Sequence, residues 1–549
     1  MTKKDLAELM YPNVTMTIED YEKKYPERDL PEGAVVSRFA PSPTGFVHMG
    51  SLLTSFIEAK VPKDTNGVFY LRIEDTDGKR SVENGVQGII NDLNNFKIQI
   101  DEGVISETEE KGNYGPYTQS KRTDIYNTYA KYLVENDLAY PCFCSPEELD
   151  EIRTHQEQNK ERIGYYGEHA KCRHLSCEEA CSRIKNGEKF VLRIKSNGDY
   201  SKKIILNDLV RGKIEFPEND IDSVLIKSDG IPVYHFAHAI DDHLMHTTHV
   251  LRGEEWISSY PLHHELFKIL KFKMPKYAHL GLVMKIDENG TRRKLSKRKD
   301  PEAAVSYYHE KGVPIEAVKL YLMTIANSNF EEWLNQNQDK TIDNFKFDFK
   351  KMSASGSLFD LEKLLNISKN YISKLTKEEV YDNLVKWAIE YDKEFYDLIT
   401  KYEEYTKEVL NIEREQKKPR KDYASYSDIK GQIFYMYDEL YIMQDYEWGT
   451  ITDKEEINTI LTTYLDKYYD VTDKDTWFNN IKLLTDELGY CSNMKEYKEN
   501  PDNYKGSIAD VSTVLRVALT SKAMTPDLYE IMRILGKEKI QNRIENINK

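Results

Sequence analysis

The stretch that decides the fold is AVVSRFAPSPTGFVHMGS, residues 34–51. Its first six residues, 34–39, form an apolar run typical of a buried strand, and the breaker-rich segment 40–45 ends that strand. A helical pattern follows at residues 51–60, and VFYLRI at residues 68–73 predicts a second buried strand. Strand, loop, helix and strand predict a right-handed βαβ unit, in which ligands bind at the carboxyl ends of the strands.

The rest of the chain changes character several times. Residues 1–33 are polar and acidic and predict an N-terminal extension with one or two short helices. Residues 115–222 mix helical and strand signals, contain five of the six cysteines and predict an insertion. Strand character resumes at residues 223–239, including IPVYHF at 231–236, and beyond about residue 300 the apolar period is helical. The sequence therefore predicts an α/β catalytic half followed by an α-helical half.

Composition narrows the class of protein. A chain of 549 residues is too long for one core and predicts three to five domains. Six cysteines indicate a reducing compartment, and no apolar run approaches the roughly 20 residues of a membrane span. We therefore expect a cytoplasmic protein without a membrane partner. The net charge of −16 neither supports nor excludes nucleic acid, because binding depends on local positive surface.

Two segments about 250 positions apart are candidate phosphate sites. HMGS at residues 48–51 stands where a loop meets a helix, and a helix N-terminus offers unpaired N–H groups to a phosphate. His48 could donate to that phosphate, while Gly50 lets a nucleotide approach the backbone. KLSKR at residues 294–298 places two lysines around a small hydroxyl residue, where they could neutralise departing pyrophosphate. Each segment alone fits an ordinary surface loop, but both around a βαβ core indicate a nucleotide site.

The chain resembles the glutamyl-tRNA synthetases, a family of class I aminoacyl-tRNA synthetases of bacterial type. The residues that carry the resemblance are RFAPSPTG with HMG at 38–50, LRIEDTD at 71–77, DDHLM at 241–245, RGEEW at 252–256, the 294–298 loop and LRVALT at 515–520. The resemblance implies an α/β Rossmann-type catalytic domain with an inserted α+β domain, followed by all-α stem-contact and anticodon-binding domains. The implied boundaries are 1–33 for the extension, 34–114 and 223–275 for the catalytic domain, 115–222 for the acceptor-binding insertion, 276–385 for the signature loop and stem-contact domain, and 386–549 for the anticodon-binding domain.

The amino-acid site can be argued from charge as well as from resemblance. Glutamate carries two carboxylates and an ammonium, so Arg38 and Arg252 could hold carboxylates while Tyr234 adds a hydroxyl and Glu74 faces the ammonium. The resemblance assigns glutamate binding to Arg38, Ala40, Ser42, Glu74, Tyr234, His238, Arg252 and Trp256. It assigns ATP binding to Thr44, Gly45, His48, Gly50, Ser51, Lys294, Ser296 and Lys297, with His48, Lys294 and Lys297 as catalytic residues.

Some positions depart from the family pattern without removing a catalytic group. His238 stands where the family commonly has a small amide or an apolar residue, so it could contact substrate or only pack. Leu53 replaces a frequent arginine, and Met49 replaces isoleucine. The extension at residues 1–33 is not part of the usual bacterial plan.

Arg252 separates glutamate from glutamine. The related glutaminyl-tRNA synthetases have an uncharged residue there, and a buried guanidinium facing a neutral amide would be left unpaired. A glutaminyl-tRNA synthetase is therefore the weaker alternative. A superfamily adenylate-forming enzyme that does not act on tRNA would not need the long helical half. A catalytically inactive RNA-binding relative is disfavoured because both signatures keep their cationic groups.

Four residues of the insertion form a candidate structural zinc site: Cys142, Cys144, Cys172 and His174. Two pairs of ligands, each one residue apart, can form a tetrahedral site, and some members of the resembled family carry zinc in this insertion. The spacing is not that of a standard zinc finger, and Cys177 and Cys181 offer alternative ligands. Reduced, unliganded cysteines fit the sequence equally well.

The implied reaction joins glutamate to tRNA(Glu) in two steps. The α-carboxylate of glutamate attacks the α-phosphate of ATP, with Mg²⁺ bridging the phosphates, and the terminal ribose hydroxyl of tRNA then takes the activated glutamate. No protein nucleophile is required, so catalysis consists of positioning and electrostatics. The resemblance also implies that activation waits for bound tRNA and that the enzyme is a monomer.

Overall fold

The computed structural model describes residues 1–43, 47–76, 82, 84–296, 298–442 and 446–547. The chain divides into two compact units. The first comprises Met1–Tyr307 with Leu320–Asp360, and the second comprises Tyr308–Lys319 with Leu361–Lys549. Thr44, Gly45 and Lys297, which the sequence assigns to the ATP site, lie outside the described residues.

Within the described residues the strands are β1 (Val36–Phe39), β2 (Val68–Leu71), β3 (Glu102–Val104), β4 (Glu110–Lys111), β5 (Ala139–Cys142), β6 (Val191–Ile194), β7 (Lys203–Asp208), β8 (Gly212–Pro217), β9 (Val224–Ile226), β10 (His249–Gly253), β11 (Lys276–Leu280), β12 (Val283–Ile286), β13 (Arg292–Lys294) and β14 (Ser357–Leu358).

The helices of the first half are α1 (Lys3–Met10), α2 (Ile18–Lys24), α3 (Met49–Asp64), α4 (Gly85–Asn95), α5 (Thr123–Glu135), α6 (Pro146–Gln158), α7 (Cys177–Lys185), α8 (Tyr234–Leu244), α9 (Tyr260–Ile269), α10 (Ser306–Lys311), α11 (Ile315–Ala326) and α12 (Phe330–Gln336). The later helices are α13 (Leu361–Ile372), α14 (Lys377–Tyr391), α15 (Lys393–Lys401), α16 (Glu403–Asn411), α17 (Tyr426–Ile433), α18 (Lys454–Thr463), α19 (Lys474–Glu487), α20 (Met494–Glu499), α21 (Ile508–Thr520) and α22 (Leu528–Ile547). Among the described residues, none of these helices combines the length and the apolar character that a membrane span requires.

The parallel sheet that positions the site is built around β1. Strand β1 pairs parallel with β2, and β2 pairs parallel with β3. On the other side of β1, the Thr248 N–H donates to the Val36 carbonyl at 2.9 Å, which brings β10 alongside; β10 pairs parallel with β11, and β11 with β7. The carboxyl ends of these strands therefore meet at one edge. The predicted α/β Rossmann-type fold is confirmed.

The βαβ unit β1–α3–β2 forms where the sequence predicts it. All four residues of β1 are buried, including the polar Ser37 and Arg38, and α3 packs against both strands. Gly67, before β2, is needed because a Cβ there would lie 1.8 Å from the Val35 carbonyl oxygen. The turn between α3 and β2 thus depends on a residue without a side chain.

One predicted element is wrong. Residues 231–236 were expected to continue a strand, but the strand is limited to β9, and the helix α8 begins at Tyr234. A short apolar run does not distinguish a buried strand from a buried helix. Here the continuously buried residues of α8, 236–242, begin only at the end of the run, so the apolar residues of 231–236 did not show that a helix starts at Tyr234.

The N-terminal extension contains α1 and α2, and each begins with a capping box, Thr2 with Asp5 and Thr17 with Asp20. Helix α1 packs on α5 and α7. After α2, Arg28 forms a bidentate pair with Glu102 of β3 at 2.8 and 3.0 Å. The extension therefore contacts both the parallel sheet and the insertion.

The second unit is α-helical apart from its connecting segments. Its core contains buried residues from helices α13 to α19, α21 and α22, among them Leu384, Phe395, Ile460 and Leu515. The predicted helical second half is confirmed.

Candidate active site

A cavity of about 690 Å³ lies at the carboxyl ends of β1, β10 and β11. It brings together most of the predicted site residues. From the predicted glutamate site, the lining contains Arg38, Ala40, Ser42, Glu74, Tyr234, Arg252 and Trp256. From the predicted ATP site, the lining contains His48, Gly50, Ser51, Lys294 and Ser296. Two signatures about 250 positions apart in sequence therefore share one cavity.

We call the wall made by Arg38, Glu58, Glu74, Tyr234 and Arg252 the buried end of the cavity. The two arginines and two carboxyls of this wall are each at most 8% exposed. Behind it, the carboxylate of Asp242 accepts from Arg72 at 2.6 Å and lies 3.3 Å from the guanidinium of Arg38. Burial alone would raise the pKa of Asp242, but these two guanidiniums overcome it and hold that pKa well below its usual range. Asp242 thus anchors two arginines with a permanent negative charge.

Glu74 is held by the same network. Its Oε1 accepts from Arg72 Nη2 at 2.9 Å, and burial raises its pKa while Arg72 opposes that rise. Arg72 is fully buried and bridges Glu74 to Asp242. The position of Glu74 in the cavity wall is therefore fixed before any ligand arrives.

Arg252 is a buried cation surrounded by aromatic rings. Its Nε donates to His279 Nε2 at 2.9 Å, and its guanidinium carbon lies 4.5 Å from the centre of the Tyr277 ring. Its Nη1 lies 3.0 Å from His263 Nδ1 and 3.4 Å from the Tyr234 hydroxyl. Within the described residues, Nη2 has no hydrogen-bond partner and the side chain forms no ion pair with a carboxylate. Arg252 therefore offers an anionic ligand a guanidinium that is not directly paired with a carboxylate of the described residues.

The histidines near Arg252 do not add to that charge. Burial lowers the pKa of His235 and of His238 to about 4, and it lowers the pKa of His263 well below its usual range. These rings are therefore neutral near pH 7. The positive charge at this end of the cavity belongs to the arginines.

His238, predicted to bind glutamate, is not in the cavity wall. It is fully buried, its Nε2 lies 2.8 Å from the Tyr277 hydroxyl, and its Nδ1 lies 2.7 Å from Asp242 Oδ2. In this structure it supports the residues behind the wall.

We call the wall made by His48, Gly50, Ser51, Lys294 and Ser296 the open end of the cavity. His48 is the N-cap of α3, and its Nδ1 accepts from the Ser51 N–H at 3.1 Å. A neutral imidazole that accepts at Nδ1 carries its proton on Nε2. A Cβ at Gly50 would lie 3.1 Å from His48 Cε1, so the glycine gives the imidazole its room.

Lys294 ends β13, which pairs antiparallel with β12, and its side chain is exposed. The loop after it is fastened at Asp300, which accepts from the Ser296 N–H at 2.9 Å and from Arg293 at 2.6 and 2.7 Å. Hydrogen bonds from Arg293 lower the pKa of Asp300, so it remains a carboxylate. Lys297 lies in this loop between these two attachment points in sequence, but outside the described residues.

Glu58 is a site residue that the sequence reasoning missed. It lies in α3, is 1% exposed and lines the cavity 3.5 Å from Arg38 Nη1. The available signal was that this acidic residue directly follows LLTSFI at residues 52–57, a segment without any charged residue. Only the fold shows that this turn of α3 faces Arg38.

The insertion brings three of the four predicted metal ligands together. The sulfur atoms of Cys142, Cys144 and Cys172 lie within 4.8 Å of one another, and His174 is not part of that group. The Tyr165 hydroxyl, which the sequence reasoning missed, lies 3.2 Å from Cys144 Sγ and 3.5 Å from Cys142 Sγ. A hydrogen bond from Cys172 lowers the pKa of the Cys142 thiol to about 4. Clustered thiols with an adjacent oxygen suit the chemistry of zinc.

The parallel sheet, the cavity at its carboxyl edge and the His-capped helix define a nucleotide-binding α/β enzyme. Comparison with known proteins shows which family of nucleotide-binding enzymes the chain matches. Residues 34–366 match the family "tRNA synthetases class I (E and Q), catalytic domain", and residues 383–548 match "Anticodon binding domain". The chain belongs to the class I tRNA synthetases of the E and Q family.

Relatives with established names agree over the full chain. A glutamate–tRNA ligase of Clostridium perfringens (strain 13 / Type A) is 50% identical over 547 residues, which cover 99% of this chain and 100% of that protein. One of Acetivibrio thermocellus is 47% identical over 548 residues and covers 100% of both chains, so residues 1–33 have a counterpart there. A solved glutamate tRNA ligase from Elizabethkingia meningosepticum, in complex with its amino acid, has a TM-score of 0.75 and 27% identity, covering 93% of this chain and 99% of that one.

Proposed function

We propose that this chain is an ATP-dependent glutamate–tRNA ligase that forms glutamyl-adenylate, releases pyrophosphate and transfers glutamate to the 3′ end of tRNA(Glu). The observation that carries the proposal is the shared cavity, in which Arg252, whose Nη2 has no partner among the described residues, and the two signature segments line the same space. Names of relatives at 47–50% identity over the full chain support it. Within translation, the enzyme works in the cytoplasm, and we propose that it is a monomer.

The buried end selects the amino acid. Arg252 binds the side-chain carboxylate of glutamate, because its free Nη2 and its neutral surroundings leave it in need of an anion. Tyr234 and Arg38 complete this contact, and Glu74 faces the ammonium. Ala40, Ser42 and Trp256 shape the wall. Glutamine lacks the negative charge that Arg252 requires, so the site disfavours it.

The open end acts on ATP. The α-phosphate lies at the N-terminus of α3, where backbone N–H groups and His48 Nε2 stabilise its charge during attack by glutamate. Thr44, Gly45, Gly50, Ser51 and Ser296 border the nucleotide in this proposal. Mg²⁺ enters with ATP and neutralises the triphosphate. Lys294 and Lys297 follow the departing pyrophosphate.

Transfer requires the RNA to reach the same cavity. The terminal ribose hydroxyl attacks the activated carbonyl, and no side chain acts as a nucleophile. The helical second unit binds the anticodon, since residues 383–548 match an anticodon-binding domain. Whether tRNA(Gln) is also accepted depends on this unit.

We also propose a structural zinc in the insertion, held by Cys142, Cys144 and Cys172 with Tyr165 or His174 as the fourth ligand. When bound, zinc fixes these segments to one another. The purified full-length protein should contain about one zinc per chain by mass spectrometry of metals, and Cys144→Ser should lose it. Cys177→Ser, outside the cluster, is the control. Equal zinc content in the Cys144→Ser and Cys177→Ser variants would contradict the proposal that Cys144 is a zinc ligand.

The proposed function is tested by charging assays with purified tRNA(Glu) and tRNA(Gln), each with glutamate or glutamine. ATP–pyrophosphate exchange with and without tRNA separates amino-acid activation from transfer. We expect glutamate-dependent charging of tRNA(Glu) and exchange that requires tRNA. Charging of tRNA with glutamine but not with glutamate would contradict the proposal. Adenylate formation at the same rate with and without tRNA would contradict it as well.

A further inference from the structure

Two buried polar atoms in the cavity wall lack a hydrogen-bond partner among the described residues: Arg252 Nη2 and Glu58 Oε2. The first is explained by a carboxylate of the substrate. The second belongs to a carboxyl that has no assigned role. A buried polar atom without a partner is costly, so its retention in a binding cavity points to a ligand contact.

Glu58 is the least constrained of the three carboxyls at this end. Asp242 is held by Arg38 and Arg72, and Glu74 accepts from Arg72 at 2.9 Å. The Oε1 of Glu58 lies 3.5 Å from Arg38 Nη1, and its Oε2 has no hydrogen-bond partner among the described residues. Of the three, Glu58 is therefore the carboxyl whose charge state and partner can change on binding.

The charge balance indicates which change occurs. Among the described residues around the buried end, the guanidiniums of Arg38, Arg72 and Arg252 are matched by the carboxyls of Asp242, Glu74 and Glu58. Arg122 and Asp241, 2.7 Å apart, balance each other behind them. Glutamate adds a net charge of −1 next to side chains that are nearly inaccessible to solvent. An uncompensated buried charge is expensive, and the balance returns if one carboxyl takes up a proton.

We propose that Glu58 takes up one proton from solvent when glutamate binds and then, as a neutral acid, donates its Oε2–H to the side-chain carboxylate of the substrate. Arg38 turns from Glu58 to that same carboxylate. Glu58 is thus a specificity-determining residue for an anionic side chain. This inference rests on the proposed function.

The elements that pack against α3 are β1, β2, β10 and the turn Pro301–Ala303. Their titratable or charged groups on this side are Arg38, Tyr70, His249, Arg252 and Glu302, the last paired with Lys285. The charged groups that act directly on Glu58 are Arg38, Asp242, Arg72 and Glu74. Burial raises the pKa of Glu58 well above its usual range, and Arg38 opposes that rise. Burial keeps His249 neutral, with a pKa of about 4. Burial raises the pKa of Glu74 as well, but Glu74 accepts a hydrogen bond from Arg72, so Glu58 is the less constrained of the two carboxyls whose pKa is raised.

Proton uptake by Glu58 makes the affinity for glutamate depend on pH. Below the raised pKa of free Glu58, the acid is already protonated, and glutamate affinity is constant. Above it, each binding event must take up a proton, so affinity falls by about tenfold per pH unit. Titration calorimetry of the full-length protein with glutamate, in two buffers of different ionisation enthalpy from about pH 6 to about pH 9, measures both the affinity and the proton uptake.

We expect uptake approaching one proton at the upper end of this range. Glu58→Gln mimics the protonated acid and should abolish the slope and the uptake. Glu265→Gln is the control, because Glu265 is a half-buried carboxyl of raised pKa that contacts Ser196 and Asn219 outside the cavity wall. It should keep the wild-type slope.

Three results decide the matter. Absence of proton uptake in the wild type at every pH overturns the inference, and this measurement needs no variant. Loss of glutamate affinity by more than tenfold in a folded Glu58→Gln at the lowest pH also overturns it, because Glu58 would then act as an anion, for example toward the ammonium. A wild-type protein that does not bind glutamate, yet charges tRNA with another amino acid, defeats the proposed function instead.

Discussion

The two ends of the cavity are built in different ways. At the buried end, Arg38 contacts Asp242 and Arg252 contacts His279, while Glu74 accepts from its neighbour Arg72, which in turn donates to Asp242. The side chains of Arg38, Arg252 and Glu74 are nearly inaccessible to solvent. At the open end, His48 is held by the first turn of its own helix, and Lys294 is exposed. A rigid, dry site suits the recognition of an amino acid, whereas a solvent-accessible site suits groups that follow a leaving pyrophosphate.

This difference predicts two classes of variant. Changes at the buried end should alter glutamate affinity and selectivity. Changes at the open end should alter the rate of activation while the KM for glutamate stays near its wild-type value.

The largest effect is expected at Arg252. Arg252→Gln removes the positive charge and leaves the substrate carboxylate buried without it, so kcat/KM for glutamate should fall by roughly 100-fold or more. The loss should lie mainly in the KM for glutamate, measured by charging of tRNA(Glu). Arg153→Gln, an exposed arginine of α6 paired with Glu157, is the control. A kcat/KM within threefold of wild type (about 0.7 kcal/mol) would show that Arg252 does not bind the substrate.

Lys297→Ala should reduce the charging rate by about tenfold or more, because the leaving pyrophosphate loses a cation. Affinity for tRNA and the KM for glutamate should change little, which distinguishes this variant from Arg252→Gln. Lys4→Ala, an exposed lysine of α1, is the control. An unaltered rate would discredit the assignment of the 294–298 loop.

Gly50→Ala tests whether the imidazole position matters at the open end. The new Cβ would lie 3.1 Å from His48 Cε1 and must push the ring by a few tenths of an ångström. We expect the activation rate to fall by roughly fivefold, since small misplacements of a catalytic group are costly. Gly431→Ala is the matched control, because no atom lies within 4 Å of its added Cβ. If the KM for glutamate changed while the activation rate did not, Gly50 would act at the buried end of the cavity and not at the open end.

The sequence pointed to most of the residues that line both ends of the cavity, but it did not show which side chains of the buried end contact one another, for a physical reason. A helix cap and a basic loop are local, so HMGS and KLSKR carry their geometry in a few adjacent residues. The contacts of the buried end join positions far apart: Arg72 meets Asp242 and Arg252 meets His279. A sequence does not specify which acid meets which arginine, so Glu58 was missed and His238 was expected in the wall.

The fold shows the same difference between features set by adjacent residues and features set by distant ones. The strands β1 and β2 and the helix α3 follow from apolar runs and breakers within about 40 residues of one another. Within the strand expected at residues 231–236, the helix α8 already begins at Tyr234, because a short apolar run does not distinguish the two structures. The five-part division of the chain remains a prediction.

The smallest effect is expected at Tyr234, which sharpens the comparison within the buried end. Its hydroxyl is 3.4 Å from Arg252 Nη1, a long contact, while its ring packs 4.3 Å from the ring of Trp256. Tyr234→Phe keeps the ring and removes one weak hydrogen bond, so the KM for glutamate should rise by about twofold to fivefold with kcat unchanged. Tyr200→Phe, an exposed tyrosine of the insertion, is the control. A loss as large as that of Arg252→Gln would mean that the hydroxyl, rather than the guanidinium, positions the substrate carboxylate.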